Sequence, residues 1–215
     1  MHRIHYRFGI VLCLIIVAIF FVMAAPHGDG ARFVSVVLQA LVLVAAVIAS
    51  KAHPWVIRLS LVAAIVGIAG SAAALFGTAQ FGNDSAGIVA LLYVLLTPPA
   101  IVTGVIKQFR EEGGVTIHSM FGVLCLYLLI GLLFAVAYAT IQDLSGSDFF
   151  TTKDGGRDDF LYFSYTTLST VGYGDVVAAT NLGRSLAITE ALLGQIYLVT
   201  VVALIVGNLG RPART

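Results

Sequence analysis

Charge is scarce in this sequence: 11% of its 215 residues are Asp, Glu, Lys or Arg, against 59% that are apolar. A water-soluble domain carries roughly 25% charged and about 45–50% apolar residues. The scarcity of charge excludes a soluble globule, and the apolar excess excludes a disordered chain. Two cysteines are too few for a disulfide framework, and Cys13 and Cys125 both sit inside long apolar runs, where they read as free thiols. Twelve basic residues against eleven acidic ones leave a net charge of +1, so no basic face for nucleic acid is expected. The sequence also lacks a phosphate-cradling glycine loop, a nucleophile elbow and a zinc motif. Its five histidines (His2, His5, His27, His53 and His118) have no metal-ligand spacing. Neither an enzyme nor a cofactor is expected, and what remains is a polytopic membrane protein.

A helix needs about 20 mainly apolar residues to cross the hydrocarbon core. Six runs meet or approach that length: 8–25, 33–49, 56–76, 86–106, 117–140 and 182–209. With the N-terminus inside, Arg3, Arg7, Lys51, Arg58, Lys107, Arg110, Arg211 and Arg214 face the cytoplasm, while Arg32, Lys153, Arg157 and Arg184 face out. Eight against four obeys the positive-inside rule, which puts both termini in the cytoplasm and the protein in the cell membrane. All eight aspartates (Asp29, Asp84, Asp143, Asp148, Asp154, Asp158, Asp159 and Asp175) fall on the outer side. The first run has the basic start and the small residues, Ala24 and Ala25, of a signal peptide. Its apolar length exceeds the about 7–15 residues usual there, so a retained helix is expected. Six residues follow Leu209, and no cytoplasmic ligand-binding domain is expected.

Between the fifth and sixth runs, residues 158–175 read DDFLYFSYTTLSTVGYGD. The semi-apolar part, 160–170, is too short to span and predicts a helix over about 160–169 that enters the membrane without crossing it. Irregular backbone at that depth is tolerated only where it is buried in protein or lines a water-filled path. Gly172 and Gly174 supply left-handed dihedrals at little steric cost. Asp158 and Asp159 suit the positive N-terminal end of the short helix, and an ion-attracting role stands beside that reading. Phe160, Tyr162, Phe163 and Tyr165 either brace the segment or anchor it at the membrane interface.

Thr170-Val171-Gly172-Tyr173-Gly174 matches the carbonyl-lined filter of potassium channels. The order from about 117 to 209 (spanning helix, short helix, filter, spanning helix) resembles the pore module of bacterial potassium channels. The resemblance covers somewhat under half the chain. It implies coordination of K+ by Thr170, Val171, Gly172 and Tyr173, with Gly174 completing the loop and Asp175 just outside as support. K+ is then the permeant ion and not a cofactor. One filter strand cannot enclose an ion, and the chain carries one copy, so a homotetramer closed about a fourfold axis in the lipid bilayer is expected. The outer aspartates would concentrate cations at its mouth. The expected fold is an all-α membrane protein of six transmembrane helices plus a re-entrant pore helix and selectivity filter. Its expected parts are a four-helix N-terminal domain at 1–107, a cytoplasmic linker at 108–116 and a pore domain at 117–210.

In the last run, Gly194 lies where such channels often carry a gating glycine, and it reads equally as a hinge or as a site of close helix packing. Leu198, Val202 and Val206 follow at helical spacing as candidates for the cavity and inner gate. Glu190 is the one acid inside a run, where a central acid costs about 2.5–3.5 kcal/mol on insertion scales. It must face protein or water, as a structural hydrogen-bond partner that supports the filter or as an ion ligand. The six-helix layout resembles voltage-gated channels, yet 86–106 contains no Lys or Arg and carries Pro98 and Pro99. A sensor needs several charges per subunit, so little voltage dependence is expected. Two other readings stand beside a potassium-selective pore. One is a less selective cation channel, disfavoured by the intact tyrosine-glycine end of the filter. The other is a non-conducting scaffold or a subunit of a potassium uptake system, which usually holds four degenerate filter repeats in one chain. Neither nucleic acid nor a small-molecule substrate is expected as a partner.

Overall fold

At membrane depth backbone N–H and C=O groups must pair within the protein, and a helix achieves this within each segment. The computed structural model describes residues 7–25, 28–50, 54–75, 96–104, 106–107, 117–151 and 156–208. Among the described residues the regular structure is helical, and the one extended pairing is an isolated antiparallel bridge between Phe150 and Ala178. The chain runs through α1 (Arg7–Ala24), α2 (Asp29–Ala49), α3 (Pro54–Leu75) and a helical stretch at 96–104. It continues through α4 (Ile117–Ser145), α5 (Arg157–Leu168), α6 (Asn181–Ile196), a π-helical turn (Tyr197–Val202) and α7 (Ala203–Asn208).

Three of these stretches are long and apolar enough to cross a bilayer: Pro54–Ala73, Met120–Ser145 and Asn181–Val202. Phe8–Ala24 and Phe33–Ala49 are shorter apolar helices. Most of the expected run 86–106, and all of the expected linker 108–116, lie outside the described residues.

The N-terminal helices close on the outer face of α4. Phe8, Val11 and Ile15 of α1 share one core with Val42 and Ala46 of α2, Ile101, and Cys125 and Leu129 of α4. A second core joins Val36, Ala40, Leu43 and Val47 of α2 to Ala64 of α3 and to Ala100. Small residues set the approach of the backbones. A Cβ on Gly104 would lie 2.6 Å from the Ser50 Cα, so glycine is required there. Cys13 and Cys125 are free thiols.

A third core is aromatic and positions the site. Tyr138 of α4, Phe149 and Phe150 of the following loop, and Phe160 and Phe163 of α5 pack with Ala135, Leu161 and Ala178. Rings meet at centroid distances of 4.9 Å for Tyr138–Phe149 and 5.3 Å, edge on, for Tyr138–Phe163, within the range favoured by aromatic quadrupoles. Thr151 donates its backbone N–H to the Val177 carbonyl, and Ala179 donates to that of Phe149, so the two loops flanking α5 are stitched together.

Two boundaries differ from the sequence expectation for identifiable reasons. The short helix starts at Arg157, not at 160, because the Asp159 carboxylate accepts the Gly156 backbone N–H at 3.1 Å and draws both acids into the first turn. The last run is one α-helix only as far as Ile196. There the Thr200 hydroxyl bonds the Ile196 carbonyl, a back-bond that competes with the helical ladder. The Tyr197 hydroxyl is tied to the Val123 carbonyl of α4 at 2.6 Å.

Candidate functional site

After α5 the chain does not continue as a helix but rises alongside it. Thr166 offers its carbonyl to two N–H groups at once, those of Val171 at 2.9 Å and Gly172 at 3.1 Å, while Thr170 N–H donates to Thr167 at 2.9 Å. The last carbonyls of α5, otherwise without intrahelical partners, therefore anchor the start of the irregular segment. Along that segment φ is positive at every second residue: 59° at Thr170, 53° at Gly172 and 81° at Gly174. Such alternation turns successive peptide planes in the same sense, so that carbonyls can line up along one side. Gly172 and Gly174 adopt it at little cost. Thr170 does not. A β-branched residue at positive φ is a backbone outlier that costs on the order of 1–3 kcal/mol and persists only where its surroundings enforce it.

Each neighbour of the segment is held by a named bond. The Tyr173 ring stacks on Tyr162 of α5, with centroids 6.2 Å apart and planes 8° from parallel. The Tyr162 hydroxyl donates to Asp175 Oδ2 at 2.9 Å, and Asp175 Oδ1 accepts the Val176 N–H at 3.1 Å. Gln195 of α6 donates its Nε2 N–H to Thr170 Oγ1 at 3.2 Å. Val171 and Tyr173 remain 51% and 71% exposed, so within one chain this strand is an open edge.

Behind the strand lies a polar triad in an apolar setting. Glu190 is fully buried. Its Oε2 accepts the Tyr138 hydroxyl at 2.6 Å, and its Oε1 lies 2.5 Å from Ser164 Oγ. Ser164 Oγ also lies 2.6 Å from the Gly131 carbonyl, to which it donates. A serine hydroxyl carries one proton, yet two acceptors face this one. Ser164 Oγ thus stands within hydrogen-bond reach of both the Gly131 carbonyl and Glu190 Oε1. The triad ties α4, α5 and α6 together. Two further bonds reinforce the joint: Tyr165 Oη donates to the Leu128 carbonyl at 2.6 Å, and Tyr127 Oη to that of Leu168 at 3.3 Å.

Gly194 sits at the base of α5, where a Cβ would come within 2.5 Å of the Leu168 carbonyl oxygen. That is a close-packing position. The departure from α-helix begins three residues later, at Tyr197. Leu198 and Val202 fall in the π-helical turn and Val206 in α7, with Leu198 and Val206 on the exposed side. The structure thus gathers Thr170, Val171, Gly172, Tyr173, Gly174 and Asp175 into one strand against α5. It places Glu190 and Gly194 behind and below that segment, and Leu198, Val202 and Val206 beyond the end of α6. Sequence reasoning missed Tyr138, Ser164 and Gln195. The one signal for the first two was Glu190 itself, since a buried acid demands donors, but separations of 52 and 26 residues hid which ones.

Residues 122–210 match a family model described as ion channel. An inward rectifier potassium channel of Paramagnetospirillum magnetotacticum is 33% identical over 87 residues, covering 40% of this chain and 28% of that protein. A putative potassium channel protein of Rhodopseudomonas palustris is 40% identical over 53 residues, 25% of this chain and 13% of that one. Protein LctB of Geobacillus stearothermophilus is 43% identical over 77 residues, 32% of this chain and 54% of its own. The chain covers less than two thirds of the length of each of these relatives. No solved structure matches it.

Proposed function

We propose that this chain, a membrane transport protein and not an enzyme, which carries the pore module of the ion channel family at residues 122–210, forms a potassium-selective pore as a fourfold homotetramer. The observation that carries the reading is the backbone of residues 170–174, where φ alternates in sign in a segment of sequence TVGYG. A cation recognised in a membrane must exchange its hydration shell for protein oxygens, and rings of backbone carbonyls provide them. Carbonyls of Thr170, Val171, Gly172 and Tyr173 from four subunits would form those rings, with the Thr170 hydroxyl at the inner end. Asp175, held by Tyr162, and Glu190, held by Ser164 and Tyr138, keep the strand in place.

The open edge of the strand supports the assembly. Leu192, Leu193 and Ile196 of α6 are also exposed in the single chain, and a fourfold arrangement gives them neighbours. In this arrangement six transmembrane helices surround the re-entrant α5, with 1–107 as an N-terminal helical domain, 108–116 as a cytoplasmic linker and 117–210 as the pore. The excess of basic residues on one side supports both termini on the cytoplasmic side of the cell membrane. The short α5 points its partially negative C-terminal end toward the inner end of the filter, which favours a cation. Potassium as the permeant ion is also what two of the three similar proteins are named for.

Purified protein in potassium-loaded liposomes, with flux read by a pH-sensitive dye and a proton carrier, tests the reading. Flux down a potassium gradient that largely disappears when sodium replaces potassium is the expected result. Equal flux of the two ions, or none, overturns it.

A further inference from the structure

We propose that a cavity between the N-terminal helices and α5 binds an uncharged, hydroxyl-bearing amphiphile taken from the lipid phase. Its occupancy does not depend on the pore proposed above. The cavity holds about 460 Å³, counting the space at its mouth, and is bounded by α1, α2, the stretch 96–104, α4 and α5. Its wall is aliphatic, with Ile19 of α1, Leu132 of α4 and Leu161 of α5 among its members, apart from three polar side chains: Ser35 and Gln39 of α2 and Thr97. Ser35 and Gln39 are the polar residues of the apolar helix Phe33–Ala49, and their spacing puts them on one face. Counting about 1.5 Å per residue from Asp29 puts Gln39 about 15 Å along α2, near its middle.

An amide at that depth is costly unless it finds a hydrogen-bond partner. Gln39 Oε1 has none: it is buried and accepts no hydrogen bond among the described residues. The Ser35 hydroxyl does not serve it, since its proton goes to the Ala31 carbonyl at 2.8 Å. An unpaired acceptor at a cavity wall selects for a ligand that brings a donor. A hydroxyl carries one donor and two lone pairs, so it gives its hydrogen to Gln39 and still accepts one. Among the described residues no Asp, Glu, Lys, Arg or His lines the cavity, so a carboxylate or ammonium head would be buried without a counter-charge. The aliphatic wall takes the alkyl chain through packing contacts, whereas water would meet the amide and leave most of that wall uncovered. Leu161 precedes Tyr162, whose hydroxyl holds Asp175, so an occupant packs directly on the helix that braces residues 170–174.

Photolabelling of the full chain in liposomes tests the site without any need for conduction. The probe is 1-octanol carrying a diazirine on its chain, and labelled residues are read by mass spectrometry of peptides. Labels on Ile19, Leu132 or Leu161 that unmodified 1-octanol displaces are the expected result. Gln39→Leu, close in size and without polar atoms, removes a buried unpaired oxygen and is expected to fold. It is expected to raise the half-displacing octanol concentration, counted per lipid, by roughly three- to tenfold, the factor equivalent to one net hydrogen bond. Methyl octyl ether has no hydrogen to donate, and it is expected to displace the label from the wild type as weakly as octanol does from Gln39→Leu. Labels elsewhere, or labels that octanol does not displace, overturn the proposal and leave water as the partner of Gln39. Equal half-displacing concentrations in wild type and Gln39→Leu overturn it too, as does an ether equal to octanol in the wild type. The expected labelling in a protein that passes no potassium overturns the proposed pore alone.

Discussion

At the scale of single residues, two glycines that look interchangeable in the sequence do opposite work. Gly172 is free of steric neighbours but held at φ 53°, so what a side chain would violate there is the backbone conformation. Left-handed geometry costs an L-residue roughly 1–2 kcal/mol, and in a fourfold pore the cost recurs in every subunit. Gly172→Ala is expected to leave membrane insertion intact and to abolish selective potassium flux in liposomes. Gly194 has no unusual dihedral, but a Cβ there would press within 2.5 Å of the Leu168 carbonyl. Gly194→Ala is therefore an overpacking change of about 1–3 kcal/mol. It is expected to lower the thermal unfolding midpoint of the detergent-solubilised protein. A hinge without a packing role would leave that midpoint unchanged. Gly70→Ala in α3 is the control, because nothing lies within 4 Å of its added methyl group. It is expected to leave flux unaltered.

At the scale of elements, α4, α5 and α6 are joined where polar atoms meet inside the aromatic core. Glutamine at position 190 can reproduce every contact, its carbonyl accepting from Tyr138 and its amide donating to Ser164 as that hydroxyl donates to Gly131. Glu190→Gln is thus expected to fold and conduct like the wild type. Glu190→Ala leaves the Tyr138 hydroxyl buried without its acceptor, worth about 1–3 kcal/mol, and opens a cavity that adds to the loss. Thermal unfolding of both variants checks the pair, and a Gln variant as damaged as Ala would mean that a buried charge, not a hydrogen-bond count, holds the three helices. How far the sequence reached is also clearest at this scale. The short helix and the strand after it were legible because their information is local: a run too short to span, acids at its start, glycines at alternate positions. The triad was not, because its members are 26 and 52 residues apart. Nor was the π-helical turn, since a one-residue change in ladder spacing leaves the apolar pattern of 182–209 almost intact. The expected run 86–106 falls mostly outside the described residues, so its sequence reading stands on composition alone.

At the scale of the whole molecule, the argument turns on the charge that is missing. Moving one elementary charge across the membrane is worth about 2.3 kcal/mol per 100 mV, and steep voltage gating takes about three to four such charges in each of four subunits. The run 86–106, in the position where a sensor would sit, contains no Lys or Arg. Of the described basic residues of the N-terminal helices, Arg58 lies in the second turn of α3, near the start of the span Pro54–Ala73, and is exposed. Among the described residues no array of buried Lys or Arg side chains is seen in the N-terminal helices. Open probability in planar bilayers is expected to stay nearly constant between about −100 and about +100 mV, because the free energy available from a field scales with the charge it displaces. A steep rise over that interval would require the pore itself, through the ions in its filter or through the turn at Tyr197–Val202, to carry the gating charge.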